Sequence, residues 1–310
     1  MISHCVMHVI THTFPAMNTR FDILLPGIDE DLGDYLFDLI RREVERTEHK
    51  LSIFDPDSEL SHINRAAFQH PVTLDDEMYY ILNHCLEYNR QSMGMFDVTM
   101  RPLLEFWKSH EISEETVSAA REIRKQIGTD KIELNWKKKT VQFASDKVMI
   151  DLGGLGKGYA LLRVKYILKD HNISSAFLSF GESTILGVGN HPYGNGWKAG
   201  ICDFFDFNSS LYTFDLHEQT LSVSGNSRNI LMRKELVKGH IIDPMKAVPM
   251  GGMSAVAVVS ASVLDAEALS TALYPADEET RKKILINFPN TLAINIEYDE
   301  QRKVCIREIK

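Results

Sequence analysis

Residues Ile150-Asp151-Leu152-Gly153-Gly154-Leu155-Gly156-Lys157-Gly158 set one carboxylate, four glycines and a lysine directly ahead of an amphipathic run. Tyr159, Ala160, Leu161, Val164, Ile167 and Leu168 then recur at helical spacing. The chain must here leave a strand ending at Asp151, turn tightly and start a helix. Glycines let backbone amides approach a ligand closely, and a helix start offers unpaired N–H groups and the positive end of a dipole. Such a turn suits phosphate, although neither standard glycine motif fits. A Walker A loop needs Ser or Thr after its lysine, where Gly158 stands, and a dinucleotide fingerprint begun at Gly154 needs Gly or Ala in place of Tyr159. A turn that uses its glycines for geometry alone is the alternative reading.

With 310 residues, 44% hydrophobic and 25% charged, the composition is that of an ordinary soluble globule. The net charge of −9 disfavours a nucleic-acid backbone as partner, so no nucleic acid is expected. Cys5, Cys85, Cys202 and Cys305 are scattered without a C-x-x-C pair, which points to reduced thiols rather than zinc or a disulfide scaffold. No apolar run is long enough for a membrane span. The opening MISHCVMHVITHTF lacks the basic and apolar regions of a signal peptide, and Cys5 does not read as a lipid-anchored cysteine, so a cytoplasmic location is expected. His4, His8 and His12 could imitate a metal site but are read as structural, along a strand-like entry segment.

Asp29 can cap a helix running to about His49, and LSIFDPDSELSHINR reads as turn chemistry between short apolar pieces. Further helices are expected from about Asp75 to Tyr88, from near Pro102 through Trp107, and from the cap Ser113 to the stop Gly128. The period then becomes alternating. Ile132, Leu134 and Trp136 oppose Val141 and Phe143 across Lys137-Lys138-Lys139, and Ala176–Phe180, Trp197–Ile201, Leu221–Val223 and Met253–Ala261 read as strands. The last of these runs into a helix, Val263–Leu273. The expectation is α+β: one large domain over 1–310 with a mixed, largely antiparallel sheet and helices concentrated in the N-terminal half.

On that last helix Glu267 and Thr271 share a face, stacking a carboxylate and a hydroxyl that offer hard oxygens to Mg²⁺. An acidic, solvated helix end is the plainer reading. His240, in the segment Gly239–Pro244, is the histidine best placed for proton transfer, or else a hydrogen-bonded half-buried side chain. Arg228 could meet a phosphate or lie in a polar turn. Phe54 and Met17 lie beside turns where a flat ring could be covered, and Met95-Phe96-Asp97 follows a glycine, so its backbone could meet a heterocycle edge. Core packing is the default for each apolar member.

Taken in order, these segments resemble the FAD:protein FMN transferases, also called thiamine-biosynthesis lipoproteins. The resemblance runs from Met17-Asn18-Thr19 to Thr271 through FDPDSELSHIN (54–64), GMFDVTMRPLLEFW (94–107), IDLGGLGKGYA (150–160), SGNSRN (224–229), HIIDP (240–244) and AEALSTAL (266–273). It implies Mg²⁺-dependent cleavage of the FAD pyrophosphate, with FMN passed to a Thr or Ser hydroxyl of an acceptor flavoprotein and AMP released. It further implies FAD contacts from Met17, Phe54, Met95, Phe96, Asp97, Asp151, Lys157 and Ile241. Mg²⁺ would be held by the carbonyl of Gly154 and the side chains of Glu267 and Thr271, with His240 at the transferring phosphate. That family usually has Asp at the place of Glu267, Ser-Ala at Gly153-Gly154, Tyr at Phe54 and Gly at Asn18, and it carries a lipoprotein signal. FAD hydrolysis to FMN and AMP, or flavin binding without catalysis, are the alternative activities.

Overall fold

The computed structural model describes residues 8–181, 183–206, 208–226 and 239–310. It opens with β1 (Val9–Ala16), β2 (Thr19–Pro26), α1 (Glu30–Leu51), α2 (Glu59–Ala66), β3 (Val72–Thr73) and α3 (Asp76–Gln91). Next come α4 (Arg101–Ser109), α5 (Glu114–Gln126), β4 (Ile132–Asn135), β5 (Thr140–Phe143) and α6 (Gly156–Asp170). Strands β6 (Ala176–Phe180), β7 (Thr184–Val188), β8 (Trp197–Cys202), β9 (Ser210–Leu216) and β10 (Gln219–Gly225) follow. The chain closes with β11 (Ile242–Asp243), β12 (Val248–Pro249), β13 (Ser254–Ser260), α7 (Val263–Leu273), α8 (Glu278–Ile286), β14 (Leu292–Tyr298) and β15 (Val304–Glu308). The α+β class, the early helices and the largely antiparallel pairing agree with the sequence. Among the described residues no helix is long and apolar enough to cross a membrane.

Two compact units are built from interleaved segments. The first comprises Met1–Glu48, Leu155–Val223 and Val258–Glu267, and the second His49–Gly154, Ser224–Ala257 and Ala268–Lys310. In the first unit β1, β2, β6, β7 and β10 lie side by side in that order, each pair antiparallel. Phe21, Ile23 and Leu25 of β2 and Ala176, Leu178 and Phe180 of β6 are buried at every second position. They form one core with Leu36, Ile40 and Val44 of α1 and Ala160, Leu161, Val164 and Leu168 of α6. Each fully buried Leu, Ile or Phe adds roughly 1.5–3 kcal/mol, so this face is the main source of the unit's stability. The β1–β2 hairpin turns on Met17 and Asn18, whose φ angles are +48° and +60°. Two left-handed residues give the turn whose twist matches the flanking strands. His12, within β1, stacks on Phe37 at 4.2 Å, and His4 lies outside the described residues.

In the second unit the β3, β4 and β5 strands form a small sheet in the order β3-β5-β4, and β14 pairs with β15. Leu103 and Trp107 of α4, Ala120 of α5, Ile127, Ile242 and Ala247 share a core. The Ser113 capping box and the Asp75 cap start α5 and α3 as expected. Three readings need correction. DPDSELSHIN contains a helix, α2, capped by Ser58, whose hydroxyl accepts the Ser61 N–H at 2.9 Å. Trp136 is not a strand residue but lies in the β4–β5 turn, 69% exposed, because Asn135 accepts the N–H groups of Lys137 and Lys138 and bends the chain early. Asp151 arrives on an extended segment that is not a strand. The side-chain amide of Asn64 supplies the pairing instead, accepting from Ile150 N–H at 2.8 Å and donating to its carbonyl at 2.9 Å.

Candidate functional site

Glu267 lies on the first unit's share of α7 and is 3% exposed. A carboxylate this buried needs a partner for each oxygen. Oε2 accepts from Thr184 Oγ1 at 2.8 Å and from Ser222 Oγ at 2.9 Å, and Oε1 pairs with Lys157 Nζ at 2.8 Å. Thr184 and Ser222 face each other across β7 and β10. Lys157 stands in the first turn of α6, where Gly158 lets the helix close in: a Cβ there would sit 3.0 Å from Glu267 Cβ. No side chain caps the start of α6 at Leu155, so its first N–H groups are left for another partner.

In the second unit the turn before α6 is shaped by Asp151. Its Oδ1 accepts the Gly153 N–H at 2.9 Å, and its Oδ2 lies 3.4 Å from Arg101 Nη1. Arg101 also sits 5.0 Å from the ring centre of Phe54, whose side chain is 78% exposed. This arginine therefore ties together two expected flavin contacts, Phe54 and Asp151. A Cβ on Gly154 would meet Phe96 Cε2 and Thr271 Oγ1, each at 3.6 Å. That is ordinary contact, so an alanine fits there. Ser224 Oγ lies 2.9 Å from Ser270 Oγ and 3.4 Å from Thr271 Oγ1, which gathers three hydroxyls on this end of α7.

Phe96 and Met95 are buried, and the backbone of Phe96 is engaged internally: its N–H donates to Ser92 Oγ and its carbonyl accepts from Asn89. The Asp97 carboxylate is sequestered too. It accepts from the Thr99 N–H at 2.9 Å and hydroxyl at 2.6 Å and faces Arg124 at 3.4 Å, while burial pushes its pKa up. Arg124 also donates to Pro244 O at 2.8 Å, fastening the end of HIIDP to the same loop. Within HIIDP, His240 is exposed and Ile241 half-buried, and the Ile241 carbonyl accepts from Met250 N–H at 2.8 Å. Met17 is half-buried against the first unit's core, and Arg228 lies outside the described residues.

Among the described residues no three His, Cys, Asp or Glu side chains cluster, so the expected metal set is one carboxylate with neutral oxygens. That donor chemistry fits Mg²⁺, which takes one or two carboxylates and keeps several waters. Glu267 and Thr271 stand one turn apart on α7, as the pattern required. Lys157 occupies Oε1 of that carboxylate in this structure. Local spacing identified Glu267, Lys157 and Thr271. It missed Thr184, Ser222 and Arg101, which reach their partners only through strand register and helix packing.

Residues 17–295 match the profile of the ApbE family. A FAD:protein FMN transferase of Buchnera aphidicola subsp. Schizaphis graminum is 24% identical over 83% of this chain and 77% of its own length. One from Chlamydia pneumoniae is 29% identical over 79% of this chain and 78% of its own. The apo crystal structure of Pseudomonas stutzeri flavinyl transferase ApbE superposes with a TM-score of 0.83, at 22% identity, covering 98% of this chain and 95% of that one.

Proposed function

The chain belongs to the ApbE family, and from that premise we propose that it transfers FMN from FAD to a Thr or Ser hydroxyl of an acceptor flavoprotein, releasing AMP. It is a transferase acting as one functional domain over 1–310. The acceptor oxygen forms a bond to the FMN phosphorus, the bond from that phosphorus to the oxygen shared with AMP breaks, and the acceptor's proton passes to a base. The observation that carries this reading is the start of α6, an uncapped helix N-terminus with Lys157 in its first turn. Backbone N–H groups, helix dipole and ammonium together favour a pyrophosphate and the charge that develops on its leaving half.

Each remaining residue has a bounded task. The exposed ring of Phe54 offers a face for the isoalloxazine or the adenine. Met17, Met95, Phe96, Asp97, Asp151 and Ile241 complete the FAD contacts, with Asp97 and Asp151 acting mainly by shaping the loops that carry them. His240, exposed within HIIDP, takes the proton of the acceptor hydroxyl. Mg²⁺, held by the Gly154 carbonyl, Glu267 and Thr271, supplies Lewis-acid neutralisation of the pyrophosphate. Positioning and charge carry most of the barrier reduction in such phosphoryl transfers.

The purified protein is incubated with FAD, Mg²⁺ and a candidate acceptor flavoprotein, and AMP, FMN and protein-bound flavin are separated. Transfer gives AMP and a fluorescent flavin that stays with the acceptor on a denaturing gel. Free FMN with AMP and no protein-bound flavin would identify a pyrophosphatase. FAD that survives intact would identify a binding protein.

A further inference from the structure

The two oxygens of Glu267 are held by different chemistry. Oε2 is fixed by two neutral hydroxyls from the sheet, Thr184 and Ser222, which are 0% and 2% exposed. Oε1 faces an ammonium at the end of a flexible stem, and the Lys157 side chain is 23% exposed. Of these three donors only the lysine is charged. Hydroxyls orient a carboxylate without neutralising it, whereas the Lys157 ammonium stands 2.8 Å from Oε1 of this 3%-exposed acid. The ammonium thus occupies a cation position on Oε1 with an exchangeable group, while the other half of the carboxylate stays anchored.

We propose that Lys157 is an internal stand-in for the divalent cation, exchanging its hold on Glu267 for the substrate's pyrophosphate when metal and dinucleotide enter together. This rests on the metal reading of Glu267 given above. In the free protein Lys157 Nζ holds Glu267 Oε1 at 2.8 Å. A divalent ion arriving alone must displace the ammonium, which then has no anion to receive it, so metal alone binds weakly. With a pyrophosphate present the displaced ammonium gains a new partner, four residues or fewer from the N–H groups that open α6. Metal and nucleotide therefore bind with positive coupling, and by linkage each raises the other's affinity by the same factor. The flexible stem and point charge of lysine suit a group that changes partner, which a rigid guanidinium fork does not.

The test titrates Mn²⁺, followed by loss of its EPR signal, into the full chain alone and with saturating ADP, which has a pyrophosphate but no FMN to give. Wild type should bind Mn²⁺ about tenfold more tightly with ADP than without. K157M should bind Mn²⁺ alone about fivefold more tightly than wild type, and ADP should change that affinity less than about twofold. Its metal-free thermal midpoint should fall and be raised by Mn²⁺ more than that of wild type. If K157M does not fold, K157R carries the test, since a forked cation on Glu267 should weaken binding of Mn²⁺ alone. K157M binding Mn²⁺ no more tightly than wild type, or K157R binding it equally well, overturns the exchange and leaves the transferase reading standing. Wild type that binds no Mn²⁺ even with ADP overturns the metal reading itself.

Discussion

Thr184 and Ser222 are cross-strand partners, and their two hydroxyls converge on one oxygen of a buried acid, Glu267 Oε2. Each bond goes to a charged acceptor, so removing either should cost about 1.5–3 kcal/mol. We expect T184V and S222A each to lower the denaturant midpoint without changing its slope. The double variant should lose more than the sum if, in each single variant, the remaining hydroxyl compensates at Oε2, which a double-mutant cycle measures.

E267Q removes the charge while keeping the length of the side chain. Turnover in Mg²⁺ should fall by about a hundredfold or more, because an interaction made mainly in the transition state is lost. FAD affinity measured without metal should stay within about threefold of wild type, since Lys157 remains available to phosphate. Equilibrium FAD binding and initial rates on one preparation decide it, and unchanged turnover would remove Glu267 from the metal set.

H240A should slow transfer by roughly 10²–10⁴-fold and leave FAD binding nearly unchanged, the signature of a proton acceptor. Equal losses in binding and rate would mark His240 as a structural residue.

Phe54 presents most of its ring to solvent with Arg101 5.0 Å from its centre. Base–aromatic stacking contributes about 1–3 kcal/mol, so F54A should weaken FAD binding roughly tenfold. F54W, which keeps a flat face, should restore it. Quenching of flavin fluorescence on binding provides the readout.

Glu43 reports on acid stability in the first unit. Burial opposes its ionisation, but hydrogen bonds from Arg46 and Arg163 hold its pKa below the ordinary 4.5. A depressed folded pKa adds stability that is complete above the ordinary value and is lost as pH falls through the folded one. E43Q should therefore cost about 1 kcal/mol at pH 7, discounted for partial exposure, and progressively less as pH falls below the ordinary 4.5. Thermal unfolding of both proteins across that range gives the difference.

Much of this arrangement was legible along the chain, and the limits have physical causes. Caps at Asp29 and Ser113 located two helices because their side chains bond amides three residues on, a purely local act. Ser58 carried the same signal, but Asp55-Pro56-Asp57 made it look like a turn, and two buried apolar residues, Leu60 and Ile63, were too few to show a period. The partners of Glu267 come from 45 to 110 residues away, and only strand register and helix packing bring them there. Asn64 imitating a strand beside Ile150 leaves no periodic trace at all. Glu267 itself was readable, whereas the partners that hold it were not.

Gly158 sets how near α6 comes to that acid. One added methyl would stand 3.0 Å from Glu267 Cβ and 3.2 Å from its Cγ. The separation of the two helices is thus written by an atom the chain leaves out. Any larger residue there would act as a spacer, levering the acid off its hydroxyl seat.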